Sequence, residues 1–160
     1  MRGSSGPAYA ASMQETEPQR LPAGELVRRF AEAWAEPRVE RFVGMLSSDV
    51  RLYQPVTPPV VGRAAAEREF QRLLRWLPDL VGTIDDWASD GRTVLIAWRL
   101  RFTLGRAPFE LRLVDRLRWE GDQIVEREAY FDSLRFFLAT LCRSSAWTGY
   151  LRYRGYLPGG

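Results

Sequence analysis

Two of the commonest catalytic side chains are missing from this sequence. The chain of 160 residues has no His, and all 23 of its basic residues are Arg, so it has no Lys either. Ser-His and Cys-His nucleophile pairs are therefore excluded within one chain. Zinc sites of the Cys/His kind, Schiff-base lysines and the lysine of phosphate-binding loops go with them. A single Cys, Cys142, forbids an intrachain disulfide, and the default compartment is then the cytoplasm. Long apolar runs are lacking too: no stretch reaches the ~18 residues of a transmembrane helix. Asp, Glu, Tyr and one thiol remain for proton chemistry, with Arg to hold anions. A single domain of this length can bury ~70 % of its unfolded surface, enough for a core.

The charge excess is small. The net charge is +3, although the isoelectric point is near 9.4. With no His or Lys to titrate between the carboxylates and Tyr, a few extra Arg carry the isoelectric point far up. Arg and acid are also interspersed, as in Arg28, Arg29, Glu32 and Glu36. There is no basic stripe, so no nucleic-acid partner is expected.

Residues 1–23 are rich in Gly, Ser, Pro, Gln and Glu and read as a mostly disordered arm. Its opening Met1-Arg2-Gly3-Ser4 is similar to an expression-vector start, which would make residues 1–6 foreign. Residues 24–142 read as the folded domain and 143–160 as an aromatic, Arg-bearing tail. From Gly24 a helix carries Leu26, Phe30, Ala33 and Trp34 on one face. A second starts after Pro37, with Val39, Phe42, Val43 and Leu46 inward, and stops at Ser47-Ser48-Asp49. Val50 to Gln54 is a short strand, which Pro55, Pro58 and Pro59 prevent from extending. A third helix runs from about Arg63 to Trp76, with Ala66, Phe70, Leu73 and Leu77 in register, and Pro78 stops it.

The period then changes to two. Strands are expected over Leu80–Ser89, Arg92–Leu104, Ala107–Trp119 and Gln123–Phe131, with turns at Asp90-Gly91, Gly105-Arg106 and Glu120-Gly121-Asp122. A helix over Ser133–Cys142 closes the domain, with Leu134, Phe137, Leu138 and Leu141 together and Cys142 as a small core residue. Helices precede strands rather than alternating with them. That predicts an α+β fold, a curved antiparallel sheet packed by three N-terminal helices and closed by a C-terminal one.

The candidate chemistry lies on the strands. One face of Ala107–Trp119 reads Phe109, Leu111, Leu113, Asp115, Leu117, Trp119. A lone carboxylate among large apolar groups is costly unless paired or functional. Asp115 is either an acid/base group or the partner of an Arg such as Arg99 or Arg101. Those two Arg either hold an anion or sit on a solvated face. Val94, Ile96, Trp98, Leu100 and Phe102 either wall a cavity or meet the helices. Glu126, Glu128, Tyr130 and Asp132 share one side of the last strand, with Val125, Arg127, Ala129 and Phe131 on the other. If the first side lines a cavity, Asp132 with Tyr130 is an acid/base pair; otherwise Asp132 caps the helix that starts at Ser133. Asp85, Asp86 and Asp90 lack an EF-hand spacing, and neither metal nor cofactor is expected. The tail, with Trp147, Tyr150, Tyr153 and Tyr156 among Arg143, Arg152 and Arg154, has the composition of a membrane-surface or RNA-stacking element. It is read instead as packing on the domain or on a partner subunit, with no membrane partner.

Two runs carry a family resemblance. One is Tyr53-Gln54-Pro55 followed by Pro58-Pro59-Val60-Val61-Gly62-Arg63-Ala64-Ala65; the other is Gly121-Asp122-Gln123-Ile124-Val125 through Tyr130-Phe131-Asp132. With the order of elements, they resemble the nuclear transport factor 2-like superfamily in its SnoaL-like branch, over Gly24 to Cys142. The resemblance implies a cone-shaped fold, a homodimer through the sheet and an apolar pocket for a polyketide, steroid or terpenoid type of molecule. Its relatives include limonene epoxide hydrolase, whose water-activating set needs Tyr, Asn and an Asp-Arg-Asp relay. Tyr53 matches the Tyr and Asp132 one Asp. Pro55 stands at the Asn position, and Trp98 and Leu100 at the other two, so that relay is incomplete. Polyketide cyclases and ketosteroid isomerase need only one carboxylate in an apolar cone and donors for an enolate. The resemblance then implies Asp132 or Asp115 as base and Tyr53 or Tyr130 as donor. Trp34, Phe70, Trp98, Leu100, Phe109 and Leu113 would form the apolar wall. Three functions are compatible with it: an isomerase, cyclase or hydratase; a ligand binder without turnover; and a dimerisation module whose cone its own side chains fill.

Overall fold

Alternation of apolar and charged side chains on four long strands bends one sheet around a single apolar face. In the computed structural model, residues 21–55 and 57–156 are described. The arm expected over residues 1–23 lies, apart from its last three residues, outside them. The elements are α1 (Ala23–Ala35), α2 (Val39–Gly44), β1 (Leu46–Tyr53), β2 (Val60–Val61), α3 (Arg63–Trp76), β3 (Val81–Ser89), β4 (Thr93–Leu104), β5 (Ala107–Glu120), β6 (Gln123–Phe131), α4 (Ser133–Leu141) and α5 (Ser144–Tyr153). The sheet order is β2-β1-β6-β5-β4-β3. β3 to β6 form the expected antiparallel meander, and β1 joins β6 in parallel. The fold is α+β, a curved, unclosed sheet with helices against its inner face.

The two inward rows of β4 and β5 pair directly, Trp98 with Leu113, Leu100 with Leu111 and Phe102 with Phe109. Leu26, Phe30 and Trp34 of α1 lie on them. The rings of Trp34 and Trp98 are 4.7 Å apart and those of Phe30 and Trp98 5.2 Å apart, edge to face. Phe42 of α2 and Phe70 of α3 extend this aromatic layer, with centroids 4.7 Å apart. α1 sits so close to β3 that a Cβ on Gly82 would stand 2.7 Å from Trp34 Cβ and 3.0 Å from the Trp98 ring. Gly82→Ala is therefore expected to cost about 1–3 kcal/mol through overpacking, seen as a lower urea midpoint at unchanged slope.

Several expectations need correction. α2 ends at Gly44 rather than at Ser47–Asp49, and Leu46 belongs to β1. The backbone from Leu46 onward pairs with β6, Leu46 opposite Ile124, so tertiary pairing overrides the helical period. Leu46, Val50 and Leu52, at even spacing, all face inward, and the pairing with β6 shifts register between Leu46 and Arg51. α4 is turned the other way from its expected orientation. Phe136 and Thr140 are buried, whereas Leu134, Phe137, Leu138 and Leu141 are 47–66 % exposed. Cys142 is exposed and not a core residue. The tail, for which no helix was expected, forms α5 and packs on the domain: a Cβ on Gly149 would lie 2.8 Å from the Trp76 ring.

Candidate functional site

Between the aromatic layer and α5 the inner face of the sheet leaves a cavity of about 90 Å³. β4 and β5 supply Leu100, Phe102, Leu111 and Leu113; the helices supply Trp34, Phe70 and Leu73. Gln54, Pro55 and Thr57 of the loop after β1 contribute the mouth, together with Tyr150, Tyr153 and Arg154 from the C-terminal segment. Two ionised side chains of the strands and of α3 reach into this apolar space, Arg127 of β6 and Glu69 of α3.

Arg127 is held from behind. Its Nε donates to Asp115 Oδ2 at 2.5 Å. Its guanidinium lies over the rings of Trp34, at 5.4 Å, and Trp98, at 5.9 Å, both within cation-π range. No other hydrogen bond from that guanidinium is made among the described residues, so its two terminal amino groups remain as donors beside the cavity. Asp115 is fully buried. Burial pushes its carboxyl above the ordinary carboxylate range, and Arg127 pulls it part of the way back. Its Oδ1 and the Trp98 indole Nε1 are buried without a hydrogen bond of ordinary geometry, although the indole N–H still favours the carboxylate.

Glu69 accepts hydrogen bonds from the Tyr153 hydroxyl and from Arg72. It is the sole carboxylate lining the cavity among the described residues. Burial, and then the Glu69 charge, push the Tyr153 phenol well above its usual range, so it stays a donor. A Tyr153 ring stacked 4.8 Å from Trp76 fixes α5 over the mouth.

The SnoaL-like domain profile matches residues 27–127. The chain belongs to the SnoaL-like family. The solved structures similar to this domain agree on the fold. A protein described as a SnoaL-like polyketide cyclase from Jannaschia sp. CCS1 has a TM-score of 0.65 at 17 % identity, covering 73 % of this chain and 90 % of its own. TerC, co-crystallised with polyporic acid, has a TM-score of 0.66 at 14 % identity, covering 73 % of this chain and 96 % of its own. The epoxide hydrolase/cyclase-like enzyme SalBIII, of pyran ring formation in the polyether salinomycin, has a TM-score of 0.61 at 18 % identity, covering 69 % and 91 %. No curated protein matches the sequence.

The residues expected to act are distributed unevenly in this SnoaL-like domain. Of the expected wall, Trp34, Phe70, Leu100 and Leu113 line the cavity. Trp98 instead packs behind it in the aromatic layer, and Phe109 packs on Phe102 and Phe136. Asp115 is paired, but with Arg127 rather than with Arg99 or Arg101. Arg99 binds Asp85 and Arg101 binds Glu110 on the outer face. Tyr53 stands opposite Glu128 in the register, on the outer face with Tyr130. Tyr130 is 48 % exposed, and the neighbouring Glu128 carboxylate pushes its phenol pKa up. Asp132 accepts from the backbone N–H of Arg135 at 2.8 Å and caps α4. Asp132→Ala is expected to cost about 0.5–2 kcal/mol of stability and to leave ligand affinity unchanged, which a melt and a titration on one preparation decide.

From sequence, Glu69 goes unmentioned, Arg127 is placed only on the side of β6 with Val125, Ala129 and Phe131, and Tyr153 is taken only as part of the packing tail. Two of them carried a signal. Glu69 lies three residues after Ala66 and four before Leu73, so it interrupts the apolar face of α3. Arg127 interrupts the inner row of β6 in the same way that Asp115 interrupts β5. Tyr153 carried none, because its place depends on α5 folding back over the mouth. Among the described residues no cluster of three or more metal-ligating side chains occurs.

Proposed function

We propose that this domain binds a flat, largely apolar small molecule of polyketide, steroid or terpenoid type and holds one of its oxygens on Arg127. The observation that carries this reading is a guanidinium tied by Nε to a buried carboxylate and by its faces to two Trp rings, with its terminal amino groups left beside an apolar cavity. Such donors suit a carbonyl, enolate or carboxylate oxygen. The structural likeness to a polyketide cyclase and to TerC bound to polyporic acid supports the ligand class.

Glu69 is the acid/base group of this reading. It takes a proton from a C–H bond next to the ligand carbonyl, and the electron pair moves onto the oxygen held by Arg127. The same carboxyl returns the proton at another carbon, which gives isomerisation. A binder without turnover is the second reading, favoured by the engagement of Glu69 with both Tyr153 and Arg72. The cavity of about 90 Å³ is below the roughly 150 Å³ that holds a benzene, so a ligand of this class lifts α5 as it enters. A homodimer through the outer sheet face is proposed on Leu95, Val114 and Tyr130, each 40–48 % exposed; a single chain by light scattering would remove that dimer.

The test uses polyporic acid as the probe, with Trp fluorescence as the readout. Quenching that saturates at one probe per chain, weakened at least tenfold in Arg127→Gln, supports the reading. Equal binding by parent and variant would sink it.

A further inference from the structure

The apolar stripe of α4 faces outward, and the charged side chains of α4 and α5 themselves are all of one sign. Of the twelve large apolar side chains that stand exposed among the described residues, six lie between Leu134 and Tyr156. Leu134, Phe137, Leu138 and Leu141 recur at helical spacing, and Trp147 of α5 adds an aromatic ring 45 % exposed. The chain after Asp132 carries Arg135, Arg143, Arg152 and Arg154 and no acid. The net charge of the whole chain is +3, so the preceding residues together carry one excess negative charge. Arg106, at the β4–β5 turn that touches α5 at Ser145, adds a further cation.

We propose that the α4–α5 face docks on an anionic lipid bilayer. Leu, Phe and Trp beside Arg on a helix surface is the composition that settles at a headgroup boundary, with the apolar side chains below it and the guanidiniums at the anionic headgroups. A second copy of the chain fits the charge poorly, because each face would bring the exposed Arg106, Arg135 and Arg152 against the same three. From sequence no membrane partner is expected, with the aromatic, Arg-bearing tail taken as packing on the domain or on a partner subunit and the stripe of α4 as a core face. Among the described residues no helix is long and apolar enough to cross a bilayer; the contact is with its surface. α5 also closes the cavity with Tyr150 and Tyr153, so docking sets the mouth against the lipid. Uptake of an apolar ligand from the bilayer follows only if the proposed binding function holds; docking itself does not depend on it.

The experiment is sedimentation of the full chain, without ligand, with vesicles of phosphatidylcholine alone and with about 30 mol % phosphatidylserine. The expected result is partition onto the anionic vesicles, reversed by salt. Leu138→Ser/Leu141→Ser should weaken it at least tenfold. Arg106→Gln/Arg152→Gln, which alters only exposed groups, should weaken it about fivefold for each Arg. No partition of the parent chain overturns the proposal. Equal partition by the Ser variant overturns it as well, since charge alone would then bind. A dimer that the Ser variant dissolves, with no vesicle binding, assigns the face to a second copy instead.

Discussion

Arg127→Met is expected to destabilise the fold by about 3–5 kcal/mol, because it leaves a buried carboxylate without its counter-charge. Asp115 is fully buried and Arg127 nearly so. Removing the guanidinium also strips the cation from the faces of Trp34 and Trp98. The double variant Arg127→Met/Asp115→Leu should regain most of the loss, since apolar groups of similar volume replace an ion pair at little or no cost. The loss depends on pH with a definite sign. The folded Asp115 carboxyl binds its proton more tightly than the unfolded one, whose pKa is about 3.9. Its contribution is therefore favourable below the unfolded value and is lost as pH rises through the folded one. Without Arg127 the folded value rises further, so the deficit of the single variant should be larger near pH 8 than near pH 4. Urea unfolding at both pH values checks this. A deficit under about 1 kcal/mol at the higher pH, or one independent of pH, would contradict a buried charge pair.

The second large effect is on turnover. With a ligand that the domain converts, Glu69→Gln should lower kcat by roughly 10²–10⁴, the range of a positioned proton-transfer group. Affinity should change little, because Gln keeps the shape and can still accept from Tyr153. Asp132→Asn should leave kcat near that of the parent chain, since Asp132 holds the end of α4 rather than the cavity. The opposite outcome, loss in Asp132→Asn and none in Glu69→Gln, would move the base to the rim. Exchange of a ligand C–H for deuterium in D₂O distinguishes proton abstraction from plain binding in the same two variants.

Much of this was legible before any fold was known. The absence of His and Lys restricts proton transfer to carboxylates, phenols, the thiol and water. The alternation in β5 placed Asp115 on the apolar face, and the same period of two separated the apolar face of β4 from its Arg-bearing one. Helix α3 was readable because the apolar spacing and the stop at Pro78 agree. Less was legible where local pattern and tertiary pairing compete. Leu46 fits a helix face, yet β6 offers its backbone a partner. The stripe of α4 fits a core face, yet Phe136 and Thr140 fill that place.

The sequence by itself determined which groups can do chemistry, because composition is independent of geometry, and which strand faces are apolar, because a strand's period is two. Only the tertiary structure decided that Asp115 pairs with Arg127, since a strand's inner row does not reveal which row lies beside it. It likewise brought Glu69 and Tyr153 together across 84 positions of the chain, and turned the stripe of α4 to solvent. Those three outcomes depend on how elements distant in sequence share one limited interior, which no local spacing records. The lack of His and Lys has thereby become specific: among the described residues the cavity is lined by one acid, Glu69, with Arg127 as its deep cation.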